Sequence, residues 1–316
     1  GSRIARRLAG DSRFMLVLAG RRRSALEALR EELGDASVEV ATLDVTGVEP
    51  STTLARLAPQ LAIHTAGPFQ SQDYRAVEAC LARRSDYMEL GDAGDFFSGM
   101  GRLNDPAREA GRLLVSGASS VPALSSAVVD ALLPRFGALQ SIEHAINPGN
   151  RTPRGDATVA SILGYCGRPI RVWREGRWQR VYGWMSGKQQ SFSFGRRRVG
   201  VCEVPDLELF PLRYPQVRTV MFRAGLELPL LQSGTWCAAW LVRLGLIRNL
   251  AAYAPRLRRV SERFMRFGSD VGGMVVELAG SGIDGAPLRL RWWLDAAAGD
   301  GPQVPVTPAV VLAQRL

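Results

Sequence analysis

Five short apolar runs mark the first 115 residues, and their spacing limits the fold more than anything else in the chain. They are Phe14–Ala19, Val38–Val45, Leu61–Thr65, Tyr87–Leu90 and Leu113–Val115. Helical patterns lie between them, at Ser24–Leu33, Pro50–Ala58, Asp73–Arg84 and closing on Ala107–Ala110. Phe14–Ala19 is continuously apolar, as suits a strand buried on both faces, and strands alternating with helices on short connections give a parallel, doubly wound α/β sheet. Each run ends in glycine, proline or a small polar residue, so the carboxyl ends of the strands present exposed backbone. Ligands bind open sheets of this kind along that edge. The third run shows this most clearly. In LAIHTAGPFQSQDY a strand breaks at His64-Thr65-Ala66-Gly67-Pro68-Phe69 and a helix resumes at Asp73.

The chain is long enough for one large domain or two ordinary ones, at 316 residues. With 46% hydrophobic and 22% charged residues it belongs with globular rather than disordered proteins. The formal charge of +10 raises nucleic acid as a partner. Lys188 is the sole lysine and the arginines are scattered, which is the mark of a compositional bias rather than a phosphate-binding surface. An anionic cofactor or a membrane surface suits the charge better. Cys80, Cys166, Cys202 and Cys237 are far apart with no CxxC, so neither a metal site nor a disulfide framework is expected, and a reducing, cytoplasmic setting is consistent with them. No signal peptide and no uncharged apolar run of membrane-spanning length is present. The chain opens and closes inside helical patterns, as a piece of a longer protein would.

A dinucleotide site needs a GxGxxG turn between strand and helix, where glycines let the backbone approach the pyrophosphate. That motif is absent. Gly1 stands directly before a helix, Ser2–Ala9, and reads either as the last glycine of such a turn or as a tag remnant. The stronger signal lies roughly twenty residues on, where an NAD site carries an acid for the ribose hydroxyls. Here Gly20-Arg21-Arg22 ends the first strand. Guanidinium groups grip a phosphate in bidentate fashion, so this position favours NADP, with NAD as the alternative cofactor. A solvated, Arg-rich helix start is the competing reading.

The segments SRIARRLA, LAGR, IHTAGPFQSQDYRAVEAC, YMELGD and VSGASSVPALSSAVVD together resemble the saccharopine dehydrogenase-like oxidoreductases, in their short bacterial branch. INPGNRTPRGDATV, DLELFPLRYP and GLELPLL extend the resemblance over nearly the whole chain. It implies a Rossmann-type sheet whose first strand and first two glycines would precede SRIARRLA, plus a second domain. It also implies NAD(P)-dependent hydride transfer on a small-molecule substrate, although a role in lysine metabolism does not follow. Carried over residue by residue, Gly1 would be the last phosphate-turn glycine and Arg21 and Arg22 the adenosine-ribose end. Asp44 would lie near adenine, Thr65, Ala66, Gly67, Pro68 and Phe69 would line the nicotinamide side, and Ser116, Gly117 and Ala118 would close the far side.

The expected domains are 1–125, nucleotide-binding; 126–305, an α+β substrate or dimerisation domain with a mostly antiparallel sheet; and 306–316, a helix returning to the first domain. A hairpin around Glu175-Gly176 and an antiparallel pair around Ile283-Asp284-Gly285 mark the change of texture. Residues 225–253 are apolar almost all round and are followed by clustered arginines to Arg266. Two readings stand: a buried or homodimer-forming helix, or peripheral contact with the inner face of a membrane.

For proton transfer the sequence offers His64 beside the Gly-Pro loop and Asp92 beyond the fourth strand, while His144, Asn147 and Asn150 are polar candidates in the second domain. Tyr74 has Glu78 four residues later, which excludes a Tyr-Lys pair, and Ser119-Ser120 is no nucleophile elbow. The expected function is an NADP-dependent oxidoreductase. The alternative is a non-catalytic nucleotide-binding scaffold acting at a membrane surface or with a protein partner.

Overall fold

The computed structural model of the protein describes residues 1–34, 37–47, 50–70, 72–153 and 155–316. The chain divides into two compact units: Gly1–Ser120 together with Pro305–Leu316, and Val121–Val304.

The first unit begins with helix α1 (Ser2–Leu8), then strand β1 (Val17–Gly20), α2 (Arg23–Leu33) and β2 (Glu39–Thr42). Next come α3 (Pro50–Leu57), β3 (Leu61–His64), α4 (Arg75–Ala82) and β4 (Asp86–Glu89). Two short helices, α5 (Gly94–Gly99) and α6 (Asn104–Ala110), lead to β5 (Leu114–Val115). All the pairings are parallel, as the buried apolar runs require, but the sheet is in two pieces. β1 pairs with β2, and β3, β4 and β5 form a second sheet in that order. Among the described residues β1 and β3 share no ladder.

Helix α1 serves both pieces. Ala5 packs with Leu18 and Val38 on one side, while Ile4 and Leu8 join Met88, Leu61 and Ile63 on the other. Each fully buried Ile or Leu contributes about 1.5–3 kcal/mol, so this seven-residue helix is held by packing rather than by its own helix propensity. The last helix, α12 (Thr307–Arg315), sets Ala309, Val310 and Ala313 into the same cluster, and Arg7 donates to Thr307 Oγ1 at 2.7 Å. A further cluster of Phe69, Tyr74, Val77, Tyr87 and Phe96 lies between α4, β4 and α5.

The second unit opens with α7 (Ser125–Leu132) and the long strand β6 (Phe136–Asn147). Helix α7 is shorter than the apolar stretch around it, because Val121 is extended (φ −132°, ψ 128°) and Leu133–Arg135 tightens into a 3-10 turn. After α8 (Asp156–Gly164) come the hairpin β7 (Pro169–Arg174) and β8 (Arg177–Tyr182), turned by Glu175 and Gly176 at positive φ. Strands β9 (Lys188–Phe192) and β10 (Gly195–Val201), α9 (Asp206–Arg213) and β11 (Thr219–Ala224) follow. Helices α10 (Pro229–Arg243) and α11 (Ala254–Arg263) precede the final pair β12 (Gly272–Gly282) and β13 (Pro287–Ala296). The eight-stranded sheet runs β13-β12-β6-β11-β10-β9 with the β7–β8 hairpin joined to β11. Among the described strands of this sheet β6 and β11 pair in parallel and the other ladders are antiparallel.

The two faces of that sheet differ. On one, Ile142, Leu278, Phe210 and Val129 belong to the main core. Inside that core Asp206, His144 and Ser125 meet: Ser125 Oγ donates to Asp206 Oδ1, and His144 Nε2 lies 3.4 Å from the same oxygen. On the other face Glu143 Oε2 accepts from Lys188 at 2.8 Å and from Arg223 at 2.7 Å, beside Ala145, Phe192 and Val275.

Candidate functional site: a cleft at the strand ends of the first unit

The carboxyl ends of β1, β2 and β3 come together around a cleft of about 360 Å³. Its lining is Ala19, Gly20 and Arg21 after β1; Leu43, Asp44, Val45 and Thr46 after β2; and Ala66, Gly67, Pro68 and Gln72 after β3. The cleft therefore spans the break between the two sheets. It lies at the smaller end of the range for small-molecule sites, about 300–1,000 Å³.

Two devices shape the walls. Asp44 folds into an Asx turn, its Oδ1 accepting from Thr46 N at 3.0 Å and from Thr46 Oγ1 at 2.8 Å. Those bonds, with the nearby Arg21 charge, hold the Asp44 carboxyl below its ordinary range, so it is ionised at neutral pH. Opposite, Gln72 Nε2 donates to the carbonyls of both Ala66 (2.5 Å) and Pro68 (3.0 Å), tying the Gly-Pro loop to the start of α4. Arg21 itself is exposed at the rim.

Of the residues singled out from sequence, the cleft brings together Arg21, Asp44, Ala66, Gly67 and Pro68. The others lie elsewhere. Arg22 is exposed and caps α2. Gly1 abuts Thr65, since a Cβ on Gly1 would stand 2.8 Å from Thr65 Oγ1. Phe69 is buried in the core against His64 and Phe96. Ala118 is fully buried with Met88 and Ile4. Gln72, Thr46, Leu43 and Val45 went unmarked at the sequence level. Leu43 and Val45 belong to the apolar run Val38–Val45 but lie past the end of β2 at Thr42. Of the loop residues Thr46 and Gln72 only Thr46 is signalled, by the Asp44-x-Thr46 spacing of an Asx turn.

Beside the cleft, at the ends of β3 to β5, lies a buried polar cluster. Glu89 has no exposed surface; its Oε1 accepts from Gly117 N at 3.0 Å and from Ser116 Oγ, and its Oε2 accepts from Gly91 N. This carboxylate ties the turn after β5 to the turn after β4. Burial pushes its carboxyl up, and the three hydrogen bonds oppose that. Asp92, half-buried, adds its own negative charge to the rise. His64 Nδ1 stands 2.7 Å from the Tyr87 hydroxyl, and burial holds the imidazole down at about 4. The imidazole is therefore neutral at physiological pH. In the second unit His144 and Asn147 are likewise buried, and Asn150 donates to the carbonyls of Phe264 (2.7 Å) and Phe267 (2.8 Å), a structural latch.

Neither a protein-family model nor a curated protein matches the sequence. Among solved structures, apo saccharopine dehydrogenase (L-Glu forming) from Saccharomyces cerevisiae overlays with a TM-score of 0.68 at 12% identity, covering 99% of this chain and 89% of that one. Weaker likenesses are an amine dehydrogenase from Mycobacterium smegmatis (TM-score 0.49, 11% identity, 98% and 86% covered) and GenD2 from gentamicin A biosynthesis in complex with NAD (0.44, 14%, 95% and 70%). At such identities the first likeness shows the fold alone: this chain has a fold like that of saccharopine dehydrogenase.

Proposed function

We propose that this protein is an NADP-dependent oxidoreductase whose first unit holds the cofactor at its strand ends and whose second unit serves substrate recognition or subunit pairing. The observation that carries the reading is the cleft, with Arg21 at the end of β1, ionised Asp44 at the end of β2 and the Ala66–Pro68 loop facing them. The residues fit the group. A ribose phosphate needs a cation at the rim, which Arg21 supplies, and Arg22 is its exposed neighbour. Sugar hydroxyls need a fixed acceptor, which Asp44 supplies, and the Gln72-tied loop presents exposed backbone to the cleft. When bound, the nicotinamide would provide the hydride. The chain's own contribution is to bind, to orient and to shield. The exchange would act on a small molecule.

The test is titration of the protein with NADPH and NADH. NADPH binding tighter by about tenfold or more is expected, one bidentate phosphate contact being a difference of that order. Arg21→Ala with Arg22→Ala should bring the two cofactors to parity. Equal weakening of both would sink the NADP assignment, and absence of binding to either would sink the nucleotide reading itself. Cofactor binding without turnover on amino-acid, keto or enoyl substrates would favour the non-catalytic scaffold.

A further inference from the structure

Helix α10 and the segment after it form a surface unlike the rest of the molecule. From Leu228 to Val242 there is no charged residue, so nothing ionic covers the outer side of a 15-residue helix. Its inner side is accounted for. Gln232 and Ala239 are buried, Cys166 Sγ donates to Thr235 O at 3.4 Å, and a Cβ on Gly167 would collide with Ala239 O. The outer side carries Leu230, Cys237, Leu241 and Leu244 at helical spacing, all exposed; Leu230 is 66% and Leu244 65% open. Trp236 stands at its edge, and Leu246, 70% open, continues the surface past the helix. Fully exposed leucines at this density are not ordinary surface.

The charge follows immediately. Residues 243–266 hold seven arginines and one acidic residue, Glu262. On α11, Leu257 and Val260 are exposed among Arg256, Arg259 and Arg263, and Phe267 is exposed beyond the helix with Arg266 over its ring at 4.8 Å. Arg243 lies over the Tyr182 ring at 4.1 Å. Both elements rest on one support: α11 packs on α8, and α10 leans on Cys166 and Gly167 just past the end of α8. Apolar side chains, interfacial tryptophan and long cationic side chains that extend their heads past an apolar stem are the chemistry of a helix lying in the headgroup layer.

We propose that α10 and α11 form a peripheral docking surface for an anionic lipid bilayer, α10 placing Leu230, Leu241, Leu244 and Leu246 among the acyl chains and the following arginines meeting the headgroups. Charge decides between lipid and a second copy. Self-association through this face would bring two arginine-rich segments together with a single acid in each, whereas an anionic surface complements them. No helix among the described residues is long and apolar enough to cross a membrane, so the contact is in-plane. This proposal is independent of the cofactor cleft, none of whose residues lie in these helices.

The experiment is co-sedimentation of the whole protein with vesicles of phosphatidylcholine alone, and with about 30% phosphatidylglycerol, at low salt and at about 0.5 M salt. Binding to the phosphatidylglycerol vesicles alone, lost at high salt, is expected. Leu230→Ser with Leu244→Ser should weaken it about tenfold or more, as should Arg256→Gln with Arg259→Gln and Arg263→Gln. All five positions are exposed, so both variants should keep the parent thermal transition and NADPH affinity. Absence of binding, or equal binding to both lipids, overturns the proposal. So does a vesicle-independent dimer captured by a disulfide between the exposed Cys237 of two copies.

Discussion

His64 and Glu89 face each other in the β3–β4 ladder, and burial drives both toward their neutral forms. The base is held down to about 4 and the acid is pushed up from its ordinary value. The pair also gives stability a calculable dependence on pH.

His64 has a folded value near 4 against 6.5 unfolded. Between those values the unfolded chain binds more protons, so the contribution of His64 is full above pH 6.5 and is lost as pH falls through 4. The displacement caps the effect on the order of 3 kcal/mol. His64→Asn, which places an amide where Nδ1 meets the Tyr87 hydroxyl, should flatten the acid limb of a melting-temperature profile from pH 4 to 7. An unchanged slope would remove His64 as its cause.

Glu89 works in the opposite sense. Its folded carboxyl titrates above the unfolded 4.5, so its contribution is full below pH 4.5 and declines as pH rises through the folded value. Glu89→Ala leaves Gly91 N, Gly117 N and Ser116 Oγ without their acceptor and should cost about 2–4 kcal/mol in urea unfolding. Glu89→Gln keeps part of the set and should cost clearly less. Equal losses would mean that the acceptor geometry is irrelevant.

Gln72 should separate binding from stability. It ties Ala66 and Pro68, both exposed carbonyl-bearing residues that water can serve in its absence. Gln72→Ala is expected to cost less than about 1 kcal/mol of stability and to raise the NADPH dissociation constant several-fold. Calorimetry of both quantities on one sample checks the split.

Asp206 lies in the second unit's core with no solvent to compensate its loss. Asp206→Ala removes the carboxylate that Ser125 Oγ donates to and that faces His144 Nε2, leaves Ser125 its bond to Pro122 O, and should destabilise by about 1–3 kcal/mol. Asp206→Asn, which still accepts from Ser125, should cost less. Chemical denaturation followed by tryptophan fluorescence reads the difference.

Much of the architecture is readable in the residues because strands and helices here differ in punctuation. Gly20, Gly67-Pro68 and Gly117 stop apolar runs, and Glu175-Gly176 turns a hairpin at positive φ. The cleft is legible in part for the same reason, since Arg21, Asp44 and the loop after β3 all sit where a strand must end. What the pattern hides is partnership across distance. Nothing local marks Glu89 as the acceptor for turns at Gly91 and Gly117, or Gln72 as the tie on Ala66 and Pro68. The unpaired flanks of β1 and β3 are equally silent, because apolar periodicity records burial and not which strand supplies the hydrogen bonds.

Helix α12 has a consequence for how the protein is made. Ala309, Val310 and Ala313 share a core with Ile4 and Leu8, nearly the full length of the chain away. A ribosome delivers Ile4 some three hundred codons before Ala313, at roughly 5–20 residues per second. For tens of seconds the first unit is therefore present without the helix that closes it, with the surface of Ile4 and Leu8 that α12 covers left open. The first unit is begun before the second and finished after it, and a chain stopped anywhere between Ser120 and Thr307 would leave it open.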